Sequence, residues 1–242
     1  MSVRVGGREP RAWSDQVKDF VRERYAHLCA ARAYPPGGRA RAREAGYPAA
    51  WVEALPDSVA EAYCGCGYAL EEVDLAGVRL AVDLGCGAGL DARLLAERLG
   101  GRGRVLALDF SLAVARRARA AAERAALAVG DMERLPLRDG IADLVIANAS
   151  LNLTVDKEAA LAEAARILRT GGRLVAREMV RAGPLPAEIA RDPSAWNASL
   201  GGVPEEDEWR AWLAQAGFAG VRISHHRPFP PVAAVRIEAV KA

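Results

Sequence analysis

The stretch VDLGCGAGLD, residues 82–91, decides the fold of this chain. It ends a short apolar run at 79–85 and opens an amphipathic helical pattern at 90–100. Glycine lets the backbone approach a ligand closely, and the start of a helix offers unpaired N–H groups. The stretch therefore predicts a strand, a ligand-binding turn and a helix in immediate succession. The three glycines of the turn are Gly85, Gly87 and Gly89.

The alternation of strand and helix patterns continues along the chain. Strands are predicted at 104–110, 125–131, 142–150 and 173–180, with helices at 111–125 and 156–170 between them. Strands that alternate with helices of this length build a parallel sheet through right-handed crossovers. A helix at 205–218 and two strands at 219–227 and 232–240 complete the pattern, and the last two strands are expected to pair antiparallel at the sheet edge. The sequence thus predicts an α/β fold.

The N-terminal third reads differently. Apolar residues at helical spacing predict a helix at 13–33, a second short helix is expected at 48–55, and no strand pattern precedes residue 79. We therefore divide the chain into a helical N-terminal cap that carries a substrate segment, residues 1–76, and a ligand-binding domain, residues 77–242. A stretch rich in Pro and Gly at 183–204 is predicted to be an insertion on the substrate side.

Composition narrows the class of protein. The net charge of +2, with basic residues scattered along helical segments, argues against a nucleic-acid partner. No run approaches the length of a membrane span, and the start MSVRVGGREP lacks the apolar core of a signal peptide. Four cysteines do not suggest a disulfide framework. A cytoplasmic protein that acts on a small molecule is the expectation.

Acidic residues after the strands indicate the ligand. The turn departs from the dinucleotide fingerprint because Leu90 occupies its third glycine position. Asp83, just before the turn, would repel a pyrophosphate and suits an ammonium group. Asp109 ends the second strand, where a carboxylate accepts ribose hydroxyls, and Asp131 with Met132 could contact an adenine edge. Together these residues point to S-adenosylmethionine, with a nicotinamide oxidoreductase or a scaffold without cofactor as the alternatives.

On the motifs VDLGCGAG, LALDFS, GDMERLPL, DLVIANAS and LRTGGRLV the chain resembles the class I methyltransferases, which use S-adenosylmethionine. The resemblance implies their Rossmann-like fold, with a seven-stranded, mostly parallel sheet, an antiparallel edge strand and a helical N-terminal cap over the active site. It also implies the cofactor-binding residues. They are Asp83, Gly85, Cys86, Gly87 and Gly89 at the methionine end, Asp109 and Phe110 at the ribose, Asp131 and Met132 at the adenine, and Asn148 near the methyl group.

A narrower resemblance, to the arsenite methyltransferases, rests on AGYPAAWVEALPDSVAEAYCGCGYAL (45–70), NASLNLTVDK (148–157) and WNASLGG (196–202). Trivalent arsenic is soft and suits thiolate ligands. Of the family's three cysteines, Cys66 matches the first, while Ala149 and Ser199 stand at the other two places. The resemblance implies methylation of a thiol-bound trivalent arsenical.

Two interpretations of the acceptor site follow, and a third is a binding module without catalysis. In the first, Cys64 and Cys66 are the catalytic thiols, Cys29 supplies a third ligand and Tyr68 lines the substrate mouth. A one-residue spacing in an extended segment would point both sulfurs to the same side. In the second, the arsenic site has been lost and another small-molecule acceptor is methylated.

Overall fold

The computed structural model describes residues 11–31, 37–181, 183, 186–190, 192, 195–196 and 200–242. The N-terminal third contains the helices α1 (Arg11–Ala31), α2 (Gly38–Glu44), α3 (Ala49–Glu53) and α4 (Asp57–Ala60). The alternating part follows with β1 (Leu80–Leu84), α5 (Leu90–Leu99), β2 (Arg104–Asp109), α6 (Leu112–Ala121), β3 (Ala125–Val129), β4 (Ala142–Asn148), a 3₁₀ turn (Leu151–Leu153), α7 (Lys157–Ile167) and β5 (Leu168–Arg181). The chain continues with α8 (Ala187–Ala190), α9 (Glu206–Gln215), β6 (Phe218–Phe229) and β7 (Val232–Lys241).

Seven strands form one sheet in the order β3-β2-β1-β4-β5-β7-β6. Strand β1 pairs in parallel with β2 and β4, and β7 pairs antiparallel with both β5 and β6. The predicted α/β fold, mostly parallel with an antiparallel pair at one edge, is confirmed. Because β1 and β4 are neighbours across the switch in strand order, a crevice opens at their carboxyl ends.

Helices cover both faces of the sheet, so the central strands are mostly apolar, with Asp83 in β1 and Asp143 in β4 among the exceptions. On one face the N-terminal helices, α5 and α6 pack around Leu95 and Val105. On the other face α7 and α9 pack around Leu161 and Trp209. The Trp209 ring is fully buried, and its indole N–H donates to the carbonyl of Met179 at 3.2 Å. The sheet is therefore a rigid support for the crevice.

Two elements differ from the sequence prediction. Helix α2 was not predicted, because its sequence GRARARE has no apolar face; Arg39 and Arg41 fix it by donating to the carbonyls of Leu55 at 2.8 Å and Tyr63 at 2.9 Å. The helix predicted for 156–170 ends at Ile167. Its expected glycine cap lies inside β5 instead, because Leu168 already pairs with Ala142 in the sheet.

Among the described helices, none combines the length and the apolar character needed to cross a bilayer.

Candidate functional site

A cleft lies at the carboxyl ends of β1, β2 and β4. The structure brings nine of the ten predicted cofactor-binding residues to its walls: Asp83, Gly85, Cys86, Gly87, Asp109, Phe110, Asp131, Met132 and Asn148. The tenth, Gly89, precedes α5 with a φ of 85°. Side chains of α1 also line the cleft, among them Lys18, Arg22 and Tyr25.

The glycine turn packs tightly against the turn that follows β4. Gly85 has a φ of 74°, and a Cβ built there would lie 2.3 Å from the Cβ of Ser150. The Ser150 hydroxyl donates to the carbonyl of Leu84 at 2.6 Å. Glycine is therefore required at residue 85 by the neighbouring turn of the protein.

Asp109 is fixed by backbone donors at the end of β2. Its carboxylate accepts from the amide of Gly87 at 3.1 Å and from the amide of Ser111 at 2.9 Å. Burial raises the pKa of Asp109 to about 6, and these amides oppose the rise. The carboxylate is thus oriented into the cleft by the glycine turn itself.

Asp83 is the most deeply buried acid of the cleft, at 2% exposure. Its Oδ2 atom has no hydrogen-bond partner among the described residues. Burial raises the pKa of Asp83 well above its usual value, and the charge of Asp91 adds to the rise. A buried carboxylate oxygen of this kind is available to accept from a ligand, and a cationic donor suits it best.

Asp131 is held from above by α1. The ammonium of Lys18 lies 2.6 Å from the Asp131 carboxylate and 2.5 Å from the Glu133 carboxylate. In the same helix, the guanidinium of Arg22 lies 4.2 Å from the centre of the Phe110 ring. Helix α1 therefore covers the end of the cleft where adenine was expected, and Lys18 and Arg22 are residues that the sequence did not indicate.

The CGCG segment forms a turn that Asn148 holds. The Asn148 Oδ1 atom accepts from the amide of Cys66 at 3.0 Å, and its Nδ2 donates to the carbonyl of Gly67 at 2.8 Å. A Cβ at Gly65 would lie 2.6 Å from the Asn148 side chain. Cys64 is exposed and lines the cleft, whereas Cys66 lines a separate small cavity beside Arg177. The two cysteines therefore line different cavities, whereas the sequence predicted both sulfurs on one side of an extended segment.

The other predicted acceptor residues are distributed unevenly. Ala149 lines the cleft and has a φ of 55°, an uncommon value for a residue other than glycine. Tyr68 packs on Tyr47, with ring centres 4.6 Å apart, and is not among the described residues that line the cleft. Ser199 lies outside the described residues, and of Cys29 only the backbone, in α1, is described. Within the described ranges, no group of three or more His, Cys, Asp or Glu residues is arranged to hold a metal ion.

Sequence reasoning missed three buried polar residues of this site. The carboxylate of Asp91 accepts from the Tyr47 hydroxyl at 2.6 Å and from the Asn148 amide at 2.9 Å. Glu178, fully buried, accepts from the amides of Ser150 and Leu151 at 3.0 and 2.8 Å. Asp91 does end the quoted stretch VDLGCGAGLD, so its position was a usable signal. Tyr47 and Glu178 gave none, since their partners are far away in sequence.

Comparison with known proteins identifies the family of this chain. A family model described as a methyltransferase domain matches residues 80–217, more than half of the chain. The chain belongs to the methyltransferase domain family. This membership agrees with the predicted class I, S-adenosylmethionine-dependent methyltransferase, and a solved phosphoethanolamine N-methyltransferase of Haemonchus contortus, similar in fold, is in complex with S-adenosyl-L-methionine. The unpartnered buried carboxylate of Asp83 fits such a cationic cofactor.

Relatives of this methyltransferase act on different acceptors. The chain is 28% identical over 245 residues to the arsenite methyltransferase of Halobacterium salinarum, covering 91% of this chain and 61% of that protein. It is 34% identical over 137 residues to the demethylmenaquinone methyltransferase of Mycolicibacterium paratuberculosis, covering 48% of this chain and 59% of that protein. The chain thus spans about three fifths of the length of these curated relatives.

The fold is shared with a solved arsenic enzyme. The X-ray structure of the arsenic(III) S-adenosylmethionine methyltransferase of Chlamydomonas reinhardtii superposes with a TM-score of 0.64 and 23% identity, covering 86% of this chain and 75% of that chain. At this identity the likeness concerns the fold.

We expect binding of S-adenosylmethionine to this methyltransferase to weaken as the pH falls below about 6. The Asp109 carboxylate has a pKa of about 6, and, as the predicted ribose ligand, it would accept hydrogen bonds from two hydroxyls best in its ionised form. Each further pH unit below the pKa should therefore weaken binding by up to about tenfold. Calorimetric titrations between pH 8 and pH 5 check this expectation. In Asp109→Asn the remaining pH dependence, which Asp83 contributes, should be flatter, and an equal slope in both proteins would assign the titration elsewhere.

Proposed function

We propose that this protein transfers the methyl group of S-adenosylmethionine to a trivalent arsenical that Cys64 binds as a thiolate ligand. The observation that carries the proposal is the position of Cys64, whose exposed thiol lines the same cleft as Asp83, Asp109 and Asn148. The arsenite methyltransferase of Halobacterium salinarum, similar over 91% of this chain, supports the same acceptor.

Some residues of the cleft would bind the cofactor, and others would position the acceptor. Asp83 and Asp109 would hold the ammonium and ribose of the cofactor, and Asn148 would position the thiol turn beside them. When bound, the cofactor supplies a methyl carbon that the soft lone pair of trivalent arsenic attacks, and the electrons of the broken bond stay on its sulfur, so no general base is required. The contribution of the protein is proximity and orientation of the two reactants.

Cys64 is the better ligand of the two neighbouring thiols. Burial raises the pKa of Cys66 far above its usual value, the charge of Glu178 adds to the rise, and the guanidinium of Arg177 opposes it only in part. Desolvation raises the pKa of Cys64 as well, but the guanidinium groups of Arg41 and Arg24 oppose this rise. Because the thiolate is the form that binds a soft centre, Cys66 is disfavoured as a ligand.

We expect arsenite to stimulate release of S-adenosylhomocysteine by the purified protein in the presence of a reducing thiol. Cys64→Ser should lower the stimulated rate by at least about tenfold, the size that even an outer partner of a bound metal contributes. Cys66→Ser is the matched control in the same turn and should retain most of the rate. Equal rates in both variants and the parent would exclude the thiol turn as the arsenical site.

A second candidate function is methylation of an acceptor that contains no arsenic. Ala149 favours it, since this side chain lines the cleft where the resemblance implies a second cysteine. If the protein binds the cofactor and arsenite produces no release, acceptors of the quinone type would be tested next. Release with such an acceptor would support the second candidate, and no release with any acceptor would favour a binding module without catalysis.

A further inference from the structure

The end of the cleft where the cofactor is predicted to bind is rich in negative charge. Asp83, Asp91 and Asp109 all line it, and Asp83 and Asp91 are 2% and 7% exposed. Among the described residues, neither Asp83 nor Asp91 forms a salt bridge within 4.0 Å of a lysine, arginine or histidine nitrogen. Carboxylates buried in this way are costly unless a positive charge joins them.

Asp91 is held in place by neutral donors. The Tyr47 hydroxyl lies 2.6 Å from its Oδ1 atom, and the Asn148 Nδ2 atom lies 2.9 Å from its Oδ2 atom. These two neutral groups orient the carboxylate. Burial still raises the pKa of Asp91, although the charge of Arg177 opposes the rise without forming a salt bridge to it. Asn148 also accepts from the amide of Cys66 in the CGCG segment. Asp91 therefore lies between the part of the cleft predicted to bind the cofactor and the segment that carries Cys64.

A second, independent observation points to a ligand at this place. The Oδ2 atom of Asp83 is buried and has no partner within the described part of the chain. Burial raises the pKa of Asp83, and the negative charge of Asp91 adds to that rise. A ligand that brings positive charge relieves both groups at once.

We propose that Asp91 makes this end of the cleft selective for positive charge, so that S-adenosylmethionine binds more tightly than S-adenosylhomocysteine. The two molecules differ by one methyl group and by the positive charge on sulfur. A carboxylate in a partly desolvated cleft distinguishes such a charge far better than one in water. The inference rests on the cofactor part of the proposed function and is independent of the acceptor.

The selectivity has a consequence for turnover. Transfer of the methyl group removes the positive charge from the sulfur, so the product keeps its ammonium near Asp83 but no longer offers a charge to Asp91. Asp91 thereby favours release of the product, and it is a specificity-determining residue for the cofactor.

The experiment measures binding by calorimetry without any acceptor, so a failure to methylate arsenite does not affect the result. The ligands are S-adenosylmethionine, S-adenosylhomocysteine and sinefungin, in which a CH–NH₃⁺ group replaces the methylated sulfur. The parent should bind the two cations more tightly than the neutral product by about tenfold, the order of one partly screened charge contact. Asp91→Asn should lose most of this preference by weakening only the cations. Asp139→Asn, which removes an equal charge from an exposed side chain, should keep it.

Two results would overturn the inference. Equal affinity of the parent for all three ligands excludes charge selectivity without the need for any variant. An unchanged preference in a folded Asp91→Asn protein would assign the selectivity to Asp83 or Asp109. Should Asp91→Asn fail to fold, Tyr47→Phe tests the same contact by releasing the Oδ1 atom, and it should alter the ratio of affinities for cation and neutral product. An unaltered ratio in that variant counts against Asp91.

Discussion

Replacing Asp109 with alanine is expected to weaken binding of S-adenosylmethionine by about a thousandfold. Hydrogen bonds to a charged acceptor contribute about 1.5–3 kcal/mol each, and two ribose hydroxyls give about 4 kcal/mol together. The amides of Gly87 and Ser111 now hold the carboxylate in position, and they would lose their acceptor in the variant. The glycine turn would therefore lose orientation as well as the ribose contact.

Calorimetry at pH 8 checks this expectation, since the Asp109 carboxylate is ionised there in the parent protein. Asp139→Ala is the matched control, because its carboxyl is exposed and pairs with Arg166 outside the cleft. Circular dichroism should show the same helix content in both variants. Binding within about threefold of the parent in Asp109→Ala would refute the ribose assignment, given that one hydrogen bond to a charge exceeds this effect.

Replacing Glu178 with alanine is expected to lower the free energy of unfolding by about 3 kcal/mol. The carboxylate accepts from three buried backbone amides, those of Ser150, Leu151 and Asn152. Each buried amide without a partner costs about 1–3 kcal/mol. Burial of the Glu178 carboxylate is itself unfavourable, since it raises the pKa of this group to about 7. Removing the carboxylate therefore offsets part of the cost. For a chain of this size the loss corresponds to a fall in Tm of about 6–12 °C.

Thermal and urea unfolding measure the effect. Glu178→Gln retains an oxygen acceptor, so we expect it to lose only about 1 kcal/mol. Glu123→Ala removes an exposed glutamate and should stay within about 0.5 kcal/mol of the parent. If Glu178→Ala unfolds at the temperature of Glu123→Ala, water replaces the carboxylate and the turn after β4 needs no support from it.

The sheet could be predicted from sequence because buried parallel strands and amphipathic helices repeat visibly along this chain. The stretch VDLGCGAGLD placed β1 and α5 within one residue of their observed positions. Helix α2 was not predicted, because it has no apolar pattern. Its arginines stabilise it by donating to carbonyls of the segments that follow it. A local sequence pattern predicts the elements whose own residues show apolar periodicity. It misses the elements that are stabilised by residues distant in sequence.

The cofactor side of the site was also predictable, because Asp83 and Asp109 lie near the carboxyl ends of β1 and β2, Asp131 follows β3, and parallel strands end at one edge of the sheet. The acceptor side was not. The path of the CGCG segment depends on Asn148, 82 residues after Cys66, and no local pattern reveals that contact. Spacing alone suggested two thiols on one side, whereas the turn separates them into two cavities.

The carboxamide of Asn148 joins two walls of the cleft, since it bonds both to Asp91 on α5 and to the turn that carries Cys64. Side chains that face the acceptor, such as Cys64 and Ala149, can then be exchanged during evolution. The hydrogen bonds of Asn148 keep the acceptor side of the cleft in place relative to the cofactor. Descendants of such a scaffold can diversify their substrates by a few substitutions and inherit the methyl-donor half intact.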